Sequence, residues 1–177
     1  MAIVKWELDT HHSEIQFKIK HLMITTVTGS FTKFSVDVET EGNDFLKVDK
    51  IRFVAEANSI NTNNEHRDNH LRSADFFDTA NYPEIIFTAN NFSVKEGDAV
   101  LTGDLTMKAI TKRVEMRVSF GGLATDGQGQ VKAGFSIEGK INRREFGLEW
   151  GAVTETGHII LSDEVRFQGE IQVIRKS

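Results

Sequence analysis

Glu14-Ile15-Gln16-Phe17-Lys18-Ile19-Lys20 alternates polar and apolar side chains without a break, and that period of two decides the fold. Successive side chains of an extended strand point to opposite faces, so Ile15, Phe17 and Ile19 share one side and the charged residues the other. Phe34, Val36 and Val38 repeat the pattern between Ser35, Asp37 and Glu39. It returns over 51–57, 85–89, 101–107, 114–120, 133–141 and 165–173, which gives about eight half-buried strands. The chain contains one proline, so little interrupts strand pairing.

Short polar turns carrying glycine separate the strands: Glu41-Gly42-Asn43-Asp44, Lys95-Glu96-Gly97-Asp98 and Asp126-Gly127-Gln128-Gly129. Sequential hairpins of long strands predict an all-β, extended eight-stranded antiparallel barrel of lipocalin-like form, whose interior either fills with side chains or holds a ligand. Glycines inside strands, at Gly103, Gly139 and Gly169, mark either barrel corners and bulges or room for a ligand against the wall. One segment breaks the alternation. Thr62 and Glu65 have capping-box spacing and Asp68 and Arg72 stand at i,i+4, so a short helix over about 63–74 is expected to close one end. A second break, Asn142 to Leu148, reads as a turn of helix at a mouth. All 177 residues fit one domain, without linker or repeat.

Composition narrows the function. Thirteen Phe against one Tyr line a core or cavity that accepts hydrocarbon and offers nothing to a polar solute. A net charge of -5 speaks against a nucleic-acid partner or a basic membrane face. The lack of cysteine excludes disulfides, thiol catalysis and thiolate metal sites. No apolar run reaches the length of a membrane span. Met1 to Trp6 runs straight into patterned sequence, so a cytoplasmic location is expected, or a periplasmic one where a leader has been removed.

An ordered set of short motifs resembles the YceI-like polyisoprenoid-binding family. It begins with Trp6-Glu7-Leu8-Asp9, His12-Ser13, and Phe17 through His21-Leu22, followed by Val27-Thr28-Gly29-Ser30-Phe31. It continues with Ser59-Ile60, Arg67-Asp68, His70-Leu71, Phe76-Phe77, Tyr82-Pro83 and Gly103-Asp104-Leu105-Thr106, and ends with Thr111-Lys112, Asn142-Arg143 and Phe146-Gly147-Leu148. The resemblance implies a lipocalin-like barrel with a hydrophobic tunnel for a polyprenyl or similar long-chain lipid, and it allows a homodimer. Two positions depart from the family pattern: Asn61, where an acidic residue is frequent, and Ala109, where a glycine often precedes the Thr-Lys pair.

Alternation then selects Phe17, Ile19, Phe34, Phe53, Phe87, Leu105, Phe135 and Phe167 as tunnel-wall candidates. Arg67, His70 and Arg72 on the helix, with His12 and Arg143, are candidates for a polar mouth that offers donors to an anionic head group. For the helix residues the alternative is a network tying helix to barrel through Asp68 and backbone carbonyls. For Arg143 it is a surface salt bridge with Glu145 or Glu149. His66 and His70 have the i,i+4 spacing of a metal-binding pair, but Arg67 between them repels a cation, and no metal or cofactor is expected. His12 and His21 would face opposite ways on one uninterrupted strand, so at most one points inward. No paired carboxylates, nucleophile elbow or phosphate loop stands out.

The expected function is therefore that of a non-catalytic carrier for a long-chain isoprenoid or other hydrophobic lipid. The competing readings are an enzyme acting on a lipidic or quinone-like substrate, which needs an ionisable residue deep in the cavity, and a closed barrel serving as an interaction module.

Overall fold

Hydrogen-bonded ladders run around the whole molecule in a computed structural model that describes residues 2–95, 98–151 and 160–176. The strands are β1 (Ile3–Leu8), β2 (Glu14–His21), β3 (Thr25–Phe31), β4 (Phe34–Glu41), β5 (Asp44–Glu56) and the two-residue β6 (Ile60–Asn61). After the only α-helix among the described residues, α1 (Glu65–Arg72), come β7 (Glu84–Lys95), β8 (Asp98–Met107), β9 (Ile110–Thr125), β10 (Val131–Asn142) and β11 (Leu161–Arg175). Neighbours pair antiparallel in the order β1-β4-β5-β7-β8-β9-β10-β11, and β11 returns to β1 through Trp6↔Arg175, Glu7↔Ile174 and Leu8↔Val173. That closure makes an eight-stranded antiparallel barrel, as the alternation predicts.

Two of the eight staves are broken in the middle. β1 and β2 run one after the other along β11, separated by a 3-10 turn at Thr10–His12, so the first part of β11 pairs with β2 and the last with β1. β3 and β4 follow in the same way across Thr32 and Lys33, with β3 paired to β2 and β4 to β1. The β2–β3 hairpin thus stands beyond the closed ring at one end, and among the described residues β3 pairs on its other side only with β6, through Ser30↔Asn61 and Phe31↔Ile60. Residues 96 and 97, the centre of one expected turn, lie outside the described residues.

The helix is shorter than 63–74 and is capped differently. Asp68 accepts from both the backbone N–H (2.8 Å) and the hydroxyl (2.6 Å) of Thr62, so Thr62 holds the helix down instead of starting it. Asn64 caps the helix, accepting from the Arg67 N–H at 2.9 Å. Arg72 does not pair with Asp68. Its guanidinium donates to the carbonyls of Asn58 and Ile60 and to the Asn69 side chain. The late break is a 3-10 turn, Arg143–Phe146, ended by Gly147 in the left-handed region at φ 78°.

Gly103, Gly139 and Gly169 answer to neither expectation alone. A Cβ at Gly139 would lie 2.5 Å from the ring tip of Phe167, its cross-strand partner, and one at Gly103 would lie 2.7 Å from that of Phe87. Gly29 stands in the same relation to Phe17, opposite it on β2. A Phe ring thus covers each of these three glycines, and at Gly169 a Cβ would press instead on the backbone oxygen of Glu14, 3.0 Å away.

Candidate functional site

The barrel encloses a cavity of about 880 Å³, near the upper end of the range for small-molecule sites. Its wall is hydrocarbon. Phe17, Ile19, Phe53, Phe87, Leu105, Phe135 and Phe167 line it, as the alternation selects. Phe34 does not; its ring packs on Phe53 with centroids 5.7 Å apart and supports that side chain instead. Phe31, Phe45, Phe76, Phe77 and Phe92 also line the cavity, and alternation alone did not select them.

Aromatic rings pack against one another at the end where β4 turns into β5. Trp6 and Phe45 lie 4.7 Å apart between centroids, Phe45 and Phe135 4.9 Å, and Phe120 stacks on Phe135 at 5.1 Å. Trp6 is 1% exposed, and its indole N–H is satisfied by the Thr40 hydroxyl at 2.9 Å.

Every polar residue of the lining sits toward the other end, between the β2–β3 hairpin, α1 and the 3-10 turn: His21, the threonines of β3, Thr62, His66, Arg67, His70 and Arg143. Arg67 donates from Nε to the Thr62 hydroxyl (2.7 Å) and from Nη2 to the Thr62 carbonyl (2.8 Å). These bonds leave its Nη1 amino group without a protein partner among the described residues. His70 shares a 2.9 Å hydrogen bond with Asp75 and meets Trp150 and Phe76 edge to face. Those contacts join helix, Phe-rich turn and rim.

The other expected mouth residues are placed elsewhere or employed otherwise. Arg72 lies off the cavity, in the backbone-binding role described above. His12 is on the 3-10 turn between β1 and β2, paired to Asp9 at 2.9 Å and away from the lining. Burial would raise the Asp9 pKa, but hydrogen bonds from His12, Gln172 and the His11 N–H, with the charge of His12, lower it from 3.8 to about 2. Arg143 lines the cavity but forms no salt bridge with Glu145 or Glu149. It is 2% exposed and donates to four carbonyls: Ser162 (2.9 Å), Leu148 (2.6 Å), Trp150 (2.7 Å) and Leu161 (3.4 Å). Burial lowers its pKa below the ordinary arginine value. Four of its five N–H groups therefore clip together the two backbone segments of the rim.

A match to the YceI-like domain spans residues 6–173. The chain belongs to the YceI-like family. Similar sequences include UPF0312 proteins of Staphylococcus aureus (strain USA300), 37% identical over 171 residues covering 96% of this chain and 97% of the relative, and of Staphylococcus epidermidis, 36% identical over the same shares. Among solved structures, a Campylobacter jejuni YCEI protein superposes with a TM-score of 0.76 and 32% identity, over 90% of this chain and 91% of that one. A polyisoprenoid binding domain from Saccharophagus degradans, implicated in plant cell wall breakdown, shares the fold at a TM-score of 0.70 and 19% identity, over 95% and 97% of the two chains.

Within this YceI-like barrel the two departures from the family pattern acquire structural meaning. Ala109 has φ 62° in the two-residue turn between β8 and β9, a left-handed position that favours glycine. Asn61 accepts through its side chain from the Asn63 N–H at 2.9 Å, shaping the approach to α1.

Proposed function

We propose that this YceI-like protein is a carrier that holds the tail of a long-chain amphiphilic lipid, of polyisoprenoid or isoprenoid-quinone kind, inside the barrel with the polar head at the α1 end. The observation that carries the reading is the segregation along the cavity, hydrocarbon through the barrel and polar groups confined to one end. Removing hydrocarbon from water contributes about 0.8 kcal/mol per CH₂, so a few isoprene units outweigh any single head-group contact. Ordering costs hold the total well below that sum. The tail therefore sets affinity and the head sets orientation, with the Nη1 group of Arg67 the best-placed donor for an anionic head. The kinship of fold with the polyisoprenoid binding domain of Saccharophagus degradans supports the same ligand class.

Binding is favoured over catalysis because the ionisable groups of the lining, His21, His66, Arg67, His70 and Arg143, stand at the mouth and not beside the buried part of a tail. The test is organic extraction of freshly purified protein and mass spectrometry of the extract, against a denatured control. A stoichiometric isoprenoid, quinone or acyl lipid is expected. Protein that emerges empty and takes up none of these lipids when offered overturns the carrier reading.

A further inference from the structure

The β2–β3 hairpin ends in Leu22-Met23-Ile24, three large apolar residues that are 41%, 53% and 77% exposed. The Ile24 N–H bonds the His21 carbonyl at 3.1 Å, and Leu22 and Met23 between them have φ 51° and 60°. A turn with two left-handed central residues asks for Asn and Gly; Leu and Met are strained there. The β8–β9 turn has the same backbone at Lys108 and Ala109, but there Lys108 Nζ is bonded to the Gly147 carbonyl at 3.2 Å. Among the described residues no such bond anchors Leu22 or Met23, and the strained turn presents hydrocarbon to the outside.

The tip is continuous with the cavity mouth. His21 and Thr25, on either side of it, line the cavity, and the Leu22 N–H donates to the Ile160 carbonyl at 2.7 Å on the rim. Charge points the same way. On the outer face of the hairpin's base, Lys140, Arg166 and Lys18 stand side by side across β10, β11 and β2. Glu164 engages Arg166 at 3.2 Å and Lys140 at 3.5 Å, while Lys18 and Lys20 are exposed and without an ion-pair partner among the described residues. The net charge of -5 is thus not shared by this corner of the molecule.

We propose that Leu22-Met23-Ile24 inserts into the interfacial region of a phospholipid bilayer, with Lys18 and Lys20 over the head groups, and sets the cavity mouth against the membrane surface. The purpose of this docking rests on the carrier reading, but its test does not.

The experiment is co-sedimentation with phosphatidylcholine vesicles containing phosphatidylglycerol, comparing wild type with the double variant Leu22→Asn/Met23→Gly. That variant supplies the residues the turn prefers, so its Tm should equal or exceed that of wild type. Wild type should bind the vesicles, and the double variant should bind at least about tenfold more weakly, given the apolar area withdrawn. Leu46→Asn, at a leucine that is more exposed (70%) and lies near the opposite end of the barrel, should bind as wild type does. Failure of wild type to bind, equal binding by the double variant, or an equal loss in Leu46→Asn overturns the proposal. Sedimentation equilibrium without vesicles tests the rival occupant: a dimer abolished by the tip substitutions, with vesicle binding unchanged, would make the tip a contact between two copies. Uptake of a fluorescent isoprenoid from detergent by both proteins separates the two readings, since its failure counts against the carrier and not against the docking.

Discussion

Replacing Arg143 by methionine tests whether this buried cation is a clip or a head-group contact. The substitution keeps most of the volume and leaves four carbonyl oxygens without their donor. The bond to Leu148 is buried, and orphaning an acceptor there costs about 1–3 kcal/mol. The other three carbonyls are within partial reach of water and lose about 0.5–1.5 kcal/mol each. Relief of the desolvated charge offsets part of this, so the net loss should be ~3 kcal/mol. For a chain of 177 residues each kcal/mol moves Tm by roughly 2–4 °C, which predicts a fall of roughly 6–12 °C. Thermal unfolding followed by circular dichroism, checked by calorimetry, reads it. Arg143→Lys should lose nearly as much, because one ammonium cannot reach carbonyls spread over both rim segments. A Tm within about 2 °C of wild type, with lipid uptake sharply reduced, would refute the clip and return Arg143 to the head-group role.

Gly139→Ala should force the Phe167 ring off its seat, destabilising the barrel by about 1–3 kcal/mol and reducing lipid uptake, whereas Gly134→Ala meets open space and should do neither; denaturant melts and a binding titration compare them. Phe45→Ala should remove about 3–5 kcal/mol and admit water to Trp6, seen as a red shift of its fluorescence in a Trp150→Phe background. Asp9 has a folded pKa of about 2 against an ordinary 3.8, so its contribution is complete above 3.8 and is lost as pH falls through about 2. Asp9→Asn should therefore flatten the acid limb of Tm against pH in that window, by at most about 2 kcal/mol.

Much of this was legible in the sequence because a half-buried strand writes its facing into a period of two. The closed barrel and seven of the eight wall residues follow from that pattern. β3 escaped it because threonines stand on both faces of its outer half, Thr25 beside Val27 on one and Thr26 and Thr28 on the other, which erases the contrast between faces. Phe45 escaped because it directly follows the Gly42-Asn43-Asp44 turn and reads as the turn's edge. Thr62 carries a capping residue's chemistry, but Asp68 claims its hydroxyl, a competition that spacing alone does not reveal. The partners of Arg143 and Arg72 are carbonyls, which every residue possesses, so no side-chain pattern announces them. The pairing of Phe17 with Gly29 and of Phe167 with Gly139 exists only once the register is known.

On the carrier reading, polar groups at one end of the cavity and the ring cluster of Trp6, Phe45, Phe135 and Phe120 at the other would make the barrel a sheath and not a pipe. A long molecule lodged in a bore with one doorway can only back out along the path it took in, so its first atom to arrive is its last to depart. Residence time should then lengthen with each added unit of chain, while the end left at the doorway remains available throughout to whatever receives it. Under the proposed carrier function, pickup and hand-over would use the same face of the protein, and transfer between two places would require the whole sheath to travel.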